Sequence, residues 1–251
     1  MNTIGYDTVR GYMLIGDQYW EIVHELRRRG MRPDTSRPSR DKAKFYYTME
    51  VGKGILKIDF KAGILIAIQC SLPKILYGRN CYLSDTKEAK RAMDMITKCI
   101  GLDFKEFFLC RVDITAMLDL PYDYKCLRRV VRAPKHHKYL YDFPKGICFA
   151  TGKLGNRKRD RVLAIYNKIK SASQFGNGVV RIEARLNTAS KIKAQIKHDS
   201  YMRDLIKDSC FLACVSYLEK VTGEATRVHK RSEYAMAIMA SLDDTILSSK
   251  I

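Results

Sequence analysis

The sequence predicts an α+β fold, with a mostly antiparallel central sheet flanked by helices and a helical C-terminal region. Three observations carry that expectation. Short strand-like segments, several alternating apolar and polar residues, recur along the first 190 residues. Helical periodicities lie among them without the regular strand–helix–strand alternation of a parallel sheet. Beyond residue 188 the pattern is helical throughout.

Residues 17–29 read as a helix that buries Trp20, Ile22, Val23 and Leu26 and stops at Gly30. Residues 33–42 are polar and proline-bearing, hence a loop. Three strands are expected at 44–51, 55–60 and 64–70, with turns at Gly52-Lys53 and Ala62-Gly63. An amphipathic helix over 86–100 ends at Gly101. A strand at 107–116, a helix at 123–131 and a strand at 146–151 follow. A basic turn leads to strands at 161–168 and 179–186, and helical stretches at 188–197, 202–221 and 233–247 complete the chain. No internal repeat or interdomain linker is apparent, so residues 1–190 are expected to form the sheet domain and 191–251 a helical region packed on it.

Charge narrows the function class. Against 27 Asp and Glu stand 46 Lys and Arg, a formal net charge of +19. An excess of that size repels itself unless a polyanion is the working partner, and nucleic acid is the first candidate. A membrane span is not expected, because the most apolar stretch, GILIAIQCSLPKIL, is interrupted by Gln69, Ser71 and Pro73. The segment MNTIGYDTVRGYML lacks the layout of a signal peptide. The cysteines include no CxxC pair, so reduced thiols in a cytoplasm fit better than a disulfide framework. Cys70, Cys110 and Cys148 read as small strand hydrophobes, and Cys210 and Cys214 as helix core.

Residues two apart on a strand share a face. In CRVDITA (110–116), Cys110, Val112, Ile114 and Ala116 take one face, and Arg111, Asp113 and Thr115 the other. In VVRIEARL (179–186), Val180, Ile182, Ala184 and Leu186 oppose Arg181, Glu183 and Arg185. In RVLAIYNK (161–168), Leu163 and Ile165 are the apolar face, with Ala164, Tyr166 and Lys168 opposite. If these strands share a sheet, its second face gathers two carboxylates, a tyrosine and several cations. That pattern fits a solvated face held by ion pairs. It also fits a site where Asp113 and Glu183 hold a divalent cation, Tyr166 attacks a phosphate and arginines grip the nucleic acid.

SLPKILYGRN (71–80), CRVDITA, VLAIYNK (162–168) and VVRIEARL occur in the order found in filamentous-phage gene II proteins. Over residues 43–190 the chain resembles that family of rolling-circle replication initiators and the related plasmid initiation factors. The resemblance implies a rolling-circle-initiator-like fold and a metal-dependent, site-specific nickase. Such an endonuclease cuts one DNA strand through a 5′-phosphotyrosyl intermediate, starts replication of a phage or plasmid, and rejoins the strand. It assigns the nicking tyrosine to Tyr166, the basic residue after it to Lys168, and the acidic positions to Asp113 and Glu183, which would hold Mg²⁺ or Mn²⁺. Lys74, Gly78 and Asn80 match a motif that is structural or touches phosphate. Relatives carry an acidic residue on the strand entering SLPK, where this chain has Ala67 and Gln69. Water, Gln69 or DNA oxygens would then complete the metal shell.

The other cations are the expected DNA contacts. Lys74 and Arg79 lie in SLPKILYGRN, and Arg111, Arg181 and Arg185 on the polar face. Arg128, Arg129 and Arg132 belong to a basic, tyrosine-bearing stretch suited to single strands. Lys153, Arg157, Lys158, Arg159 and Arg161 fill the turn before the Tyr166 strand and its first residue. The implied partners are a replication origin, as single-stranded or supercoiled duplex DNA, and host helicase and replication proteins. The implied place of work is the host cytoplasm, with the oligomeric state left open. A competing class is a non-catalytic DNA-binding protein, such as a phage or plasmid regulator or an origin-melting factor, using the same basic sheet. RNA binding is weaker, since the polar face lacks a row of aromatics. Adjacent His136 and His137 would point to opposite faces of a strand and so share no metal.

Overall fold

The computed structural model describes residues 3–37, 43–61, 64–120, 129–143, 146–151, 159–167, 179–226 and 233–249. Ten strands form a single sheet among them. They are β1 (Thr3–Leu14), β2 (Arg32–Pro33), β3 (Lys44–Val51), β4 (Gly54–Lys61) and β5 (Leu65–Ser71). Then come β6 (Phe108–Asp119), β7 (Lys138–Phe143), β8 (Gly146–Ala150), β9 (Arg161–Asn167) and β10 (Val179–Leu186). Their spatial order is β2-β3-β4-β5-β1-β6-β10-β9-β8-β7, and neighbours run antiparallel.

That order is one five-strand unit laid twice about the β1–β6 pair. In each half the first strand is central, the last pairs beside it, and the earlier ones step outward. The duplication lies in the topology and has no counterpart in an apparent sequence repeat.

Most expected strands form within a residue or two of their expected limits. Three strands, β2, β7 and β1, form where none was expected, and of these β1 is the central one. Its pairing with β6 runs Tyr6↔Ile114 and resumes at Val9↔Val112, so Asp7 and Thr8 lie in a bulge opposite Asp113. A bulge breaks the period-two pattern on which a strand is recognised. A second shift, between Arg10/Arg111 and Gly11/Leu109, corrects the face of Cys110. Leu109 takes the core side there, while Cys110 turns to the polar side and its thiol donates to the Arg10 carbonyl, 3.4 Å away.

Helix α1 (Tyr19–Arg28) buries Ile22, Val23 and Leu26 as expected, but Trp20 is 66% exposed. SLPKILYGRN forms the short helix α2 (Leu72–Tyr77), opened by Pro73 and ended by Gly78 at φ +73°. Helix α3 (Thr86–Ile100) starts on a capping box between Asp85 and Glu88 and stops at left-handed Gly101. Further helices span Ala189–Ile196, Asp208–Thr226 and Glu233–Ser249. The helix expected at 123–131 falls largely outside the described residues. The helices cover one sheet face, where Val9, Ile114, Leu163 and Ile182 share a core with Met93, Ile96, Leu218 and Ile246. No helix among the described residues is long and apolar enough to cross a membrane.

The other face is crossed by the segment 78–84. Tyr6 and Ser84 exchange backbone bonds of 2.8 and 3.0 Å, which hold that segment against Gly5. A Cβ on Gly5 would stand 2.7 Å from the Ser84 carbonyl oxygen, so this approach requires glycine.

Candidate active site

The register of β10 assembles the site. Arg181 lies across from Met117 and Tyr166, Glu183 from Thr115 and Ala164, and Arg185 from Asp113 and Val162. Asp113, Tyr166, Glu183 and the arginines therefore meet on the face that is helix-free among the described residues, as the period-two reading requires.

Their contacts form a continuous belt. Arg111 grips Asp113 with two bonds of 2.9 and 2.6 Å. Arg185 donates to Glu183 Oε2 at 3.0 and 2.5 Å and lies 3.7 Å from Asp113. Arg181 Nε stands 2.7 Å from Glu183 Oε1, a charge contact whose N–H is not aimed along a hydrogen bond. The other end of that guanidinium donates to Asp7 and, at 2.8 Å, to the Asn80 carbonyl. Tyr166 donates its hydroxyl to Glu183 Oε1. Ser71 adds a 2.7 Å bond to Asp7.

Asp7 is the member that the sequence reading missed. It stands in the β1 bulge, where the alternation that would reveal its face is interrupted. An acidic residue inside a β-branched and aromatic stretch, GYDTV, was the available signal.

The belt is not a solvated face. Asp113 is 1% exposed, Glu183 3% and Arg181 0%. Burial raises the Asp113 carboxyl above its ordinary value, outweighing Arg111. Burial would raise Glu183 too, but Arg181 and Arg185 outweigh it and hold the carboxylate at about 2. Tyr166 is pushed well above its ordinary range, first by burial and then by the Glu183 charge. At rest, then, Tyr166 is a neutral phenol on a fully ionised carboxylate.

A divalent cation does not fit this arrangement. Hard cations take six or more oxygens, several commonly from water. Here Asp7, Asp113 and Glu183 are each engaged by guanidinium, and no cluster of three or more His, Cys, Asp or Glu among the described residues is placed to hold a metal. Thr115 Oγ1, buried beside Glu183, is the one orphaned oxygen of this belt among the described residues.

Other expected site residues scatter. Arg79 is exposed one residue from Asn80, and Arg159 opens onto a cavity on the same face. Lys74 sits on α2, which packs against α3 and β4. Arg161, one of the expected DNA contacts, turns to the helical face with its guanidinium 5.8 Å from the Tyr217 ring. The strand period dictates this, because Val162 takes the polar face. Arg129 and Arg132 lie by the end of helix Asp208–Thr226, where Arg132 N–H bonds the Ala225 carbonyl at 2.9 Å. His136 and His137 occupy a turn rather than a strand, and His137 is buried against the Lys135 carbonyl. Lys168, Arg128, Lys153, Arg157 and Lys158 lie outside the described residues.

No family model matches the chain, and no curated protein does. Among solved structures it is similar to a rolling circle replication initiator protein from Geobacillus stearothermophilus, at 11% identity and a TM-score of 0.41, over 81% of this chain and 80% of that one. It is also similar to the di-domain ARO/CYC StfQ of the steffimycin biosynthetic pathway, at 9% identity and a TM-score of 0.23, over 97% and 98% of the chains. Both likenesses are distant, and neither decides anything about this chain.

Proposed function

We propose that this chain nicks and rejoins one strand of DNA through a phosphotyrosyl link on Tyr166, in the cytoplasm, at the start of rolling-circle replication of a phage or plasmid. The observation that carries the reading is the Tyr166 phenol donating to Glu183 inside a belt of guanidiniums on the helix-free face. The net charge of +19 and the motif order of the gene II resemblance support it.

Tyrosine attack on phosphorus needs a positioned hydroxyl, an acceptor for its proton and positive charge around the phosphate. Glu183 takes the phenolic proton as Tyr166 Oη bonds to phosphorus. The bond to the 3′-oxygen breaks, leaving a 5′-phosphotyrosyl ester and a 3′-hydroxyl that draws its proton from solvent. The reverse reaction rejoins the strand. Without DNA, Glu183 is a poor base, because Arg181 and Arg185 hold it at about 2. A phosphodiester competes for those guanidiniums, and as they turn towards it the basicity of Glu183 rises. Substrate entry thus prepares the proton transfer.

A second reading, a non-catalytic DNA-binding protein, is favoured by one observation: arginine engages all three carboxylates at rest. Labelled random-sequence single-stranded oligonucleotides, incubated with Mg²⁺, Mn²⁺ or EDTA and run on denaturing gels, separate the two. The nicking reading predicts a covalent adduct with the wild type and none with Tyr166→Phe, which still binds DNA. DNA binding without adduct in every condition leaves only the binder. Cation dependence of the adduct would mean that DNA moves Arg181 or Arg111 off its carboxylate to admit a metal.

A further inference from the structure

A cavity of about 440 Å³ opens on the same face beside the Tyr166 belt. Its walls carry Arg10, Arg111, Arg159 and Arg185, with the Gln69 amide among them, and Val162 and Cys148 supply apolar surface. Three of these arginines are answered by carboxylates: Arg10 by Asp59 at 2.8 Å, Arg111 by Asp113, and Arg185 by Glu183. Arg159 has no ion-pair partner among the described residues, and the Gln69 side chain makes no hydrogen bond to them. The cavity is therefore net positive, with an unused amide donor and acceptor beside a patch of apolar wall.

Its position follows from register. Lys57 pairs with Gln69, Gln69 with Arg10, and Arg10 with Arg111, which makes a polar row across four strands. Val162 and Tyr166 share a face, four residues apart on β9 or about 13 Å along the strand. A group in the cavity is too far away to be the one that Tyr166 attacks. A phosphate alone would use the arginines and leave the amide and the apolar wall idle. A base in a duplex cannot leave the stack without being extruded.

We infer that this cavity is a subsite for one unpaired nucleotide of the DNA strand, a short way along the strand from the phosphate at Tyr166. Arg10 and Arg159 hold its phosphate, its base lies on Val162 and Cys148, and the Gln69 amide meets the base edge. This rests on the reading of the Tyr166 face as a DNA site. An amide is a known reader of base edges, and it would give the strand a sequence preference at this one position.

The test uses deoxynucleoside 5′-monophosphates, the matching deoxynucleosides and inorganic phosphate, each titrated calorimetrically against the full chain. The wild type should bind at least one monophosphate about tenfold more tightly than either inorganic phosphate or the nucleoside. Gln69→Leu should lower that monophosphate to the level of inorganic phosphate and leave inorganic phosphate unchanged. Arg10→Gln should weaken both about tenfold, the scale of one charge-assisted hydrogen bond. Gln69→Glu, which sets a carboxylate among four arginines, should fold as well as the wild type and bind neither. Equal wild-type affinity for phosphate and monophosphate would overturn the inference in favour of a backbone clamp, and so would indifference to Gln69→Leu. A chain that forms the Tyr166 adduct but ignores mononucleotides sinks the subsite alone. A chain that binds mononucleotides but forms no adduct sinks the nicking alone.

Discussion

In the half of the sheet formed by β6 to β10, the strand beside the centre carries Arg181, Glu183 and Arg185 on its helix-free face. In the half formed by β1 to β5, the strand in the same place carries Ala67, Gln69 and Ser71. One strand further out, β9 presents Tyr166, whereas β4 presents Lys57 and Asp59. The frame is laid twice and the buried charges once. The frame therefore does not require them. On the first half Asp59 pairs with Arg10 and, at 3.2 Å, with Arg37, and these contacts are partly open to solvent, with side chains 38% exposed for Arg10, 32% for Arg37 and 19% for Asp59. In the belt of the second half, to which β1 adds Asp7, the carboxylates and Arg181 are enclosed, while Arg111 and Arg185 reach the surface with side chains 25% and 29% exposed. Exposed pairs contribute little, while a buried charge that loses its partner is severely penalised.

That contrast can be broken at several depths. Arg181→Leu strands Asp7 and Glu183 without their shared guanidinium, and urea denaturation should register a loss of about 3–5 kcal/mol. A loss under about 1 kcal/mol would mean that the belt is no tighter than a surface pair. Next in size is the acid limb of stability. Glu183 falls from an ordinary 4.5 to about 2 on folding, so its contribution is complete above 4.5 and is lost as pH falls towards 2. That term amounts to about 3 kcal/mol, and stability measured against pH should flatten over this window in Glu183→Gln. Asp113, raised by burial, acts with the opposite sign, so an unflattened limb would transfer the acid sensitivity to other carboxylates.

Smaller still is Tyr166→Phe, which removes the hydrogen bond to Glu183 and leaves that carboxylate with two arginines, so thermal unfolding should show a loss of about 1 kcal/mol or less. Smallest is Asp59→Asn in the other half, where the change should stay below about 1 kcal/mol and vanish in about 1 M salt. A large, salt-insensitive loss there would erase the distinction between the halves.

The sequence made the polar face legible because β6, β9 and β10 keep strict alternation through Asp113, Tyr166 and Glu183. It hid Asp7 and the Cys110 side because bulges reset the period at those points. It placed Trp20 inside by helical spacing, yet the ring is outside, since spacing assigns a residue to a stripe and cannot say how wide the covered stripe is. The burial of the belt was also out of reach. It depends on segment 78–84 folding over the face, held by Tyr6 and Ser84 across a long stretch of chain. The ion pairing weighed from the pattern is present, but its carboxylates and Arg181 are enclosed rather than solvated.

The most direct test of the central claim, that strand-transfer chemistry sits in the second half alone, is to locate the phosphotyrosine. Wild-type protein is incubated with the random-sequence oligonucleotides, digested with nuclease and protease, and mapped by mass spectrometry. The account predicts a nucleotide-bearing peptide containing Tyr166 and no adduct on the first-half tyrosines Tyr6, Tyr12, Tyr46 or Tyr47. An adduct on any of those four, or one that persists in Tyr166→Phe, would contradict it.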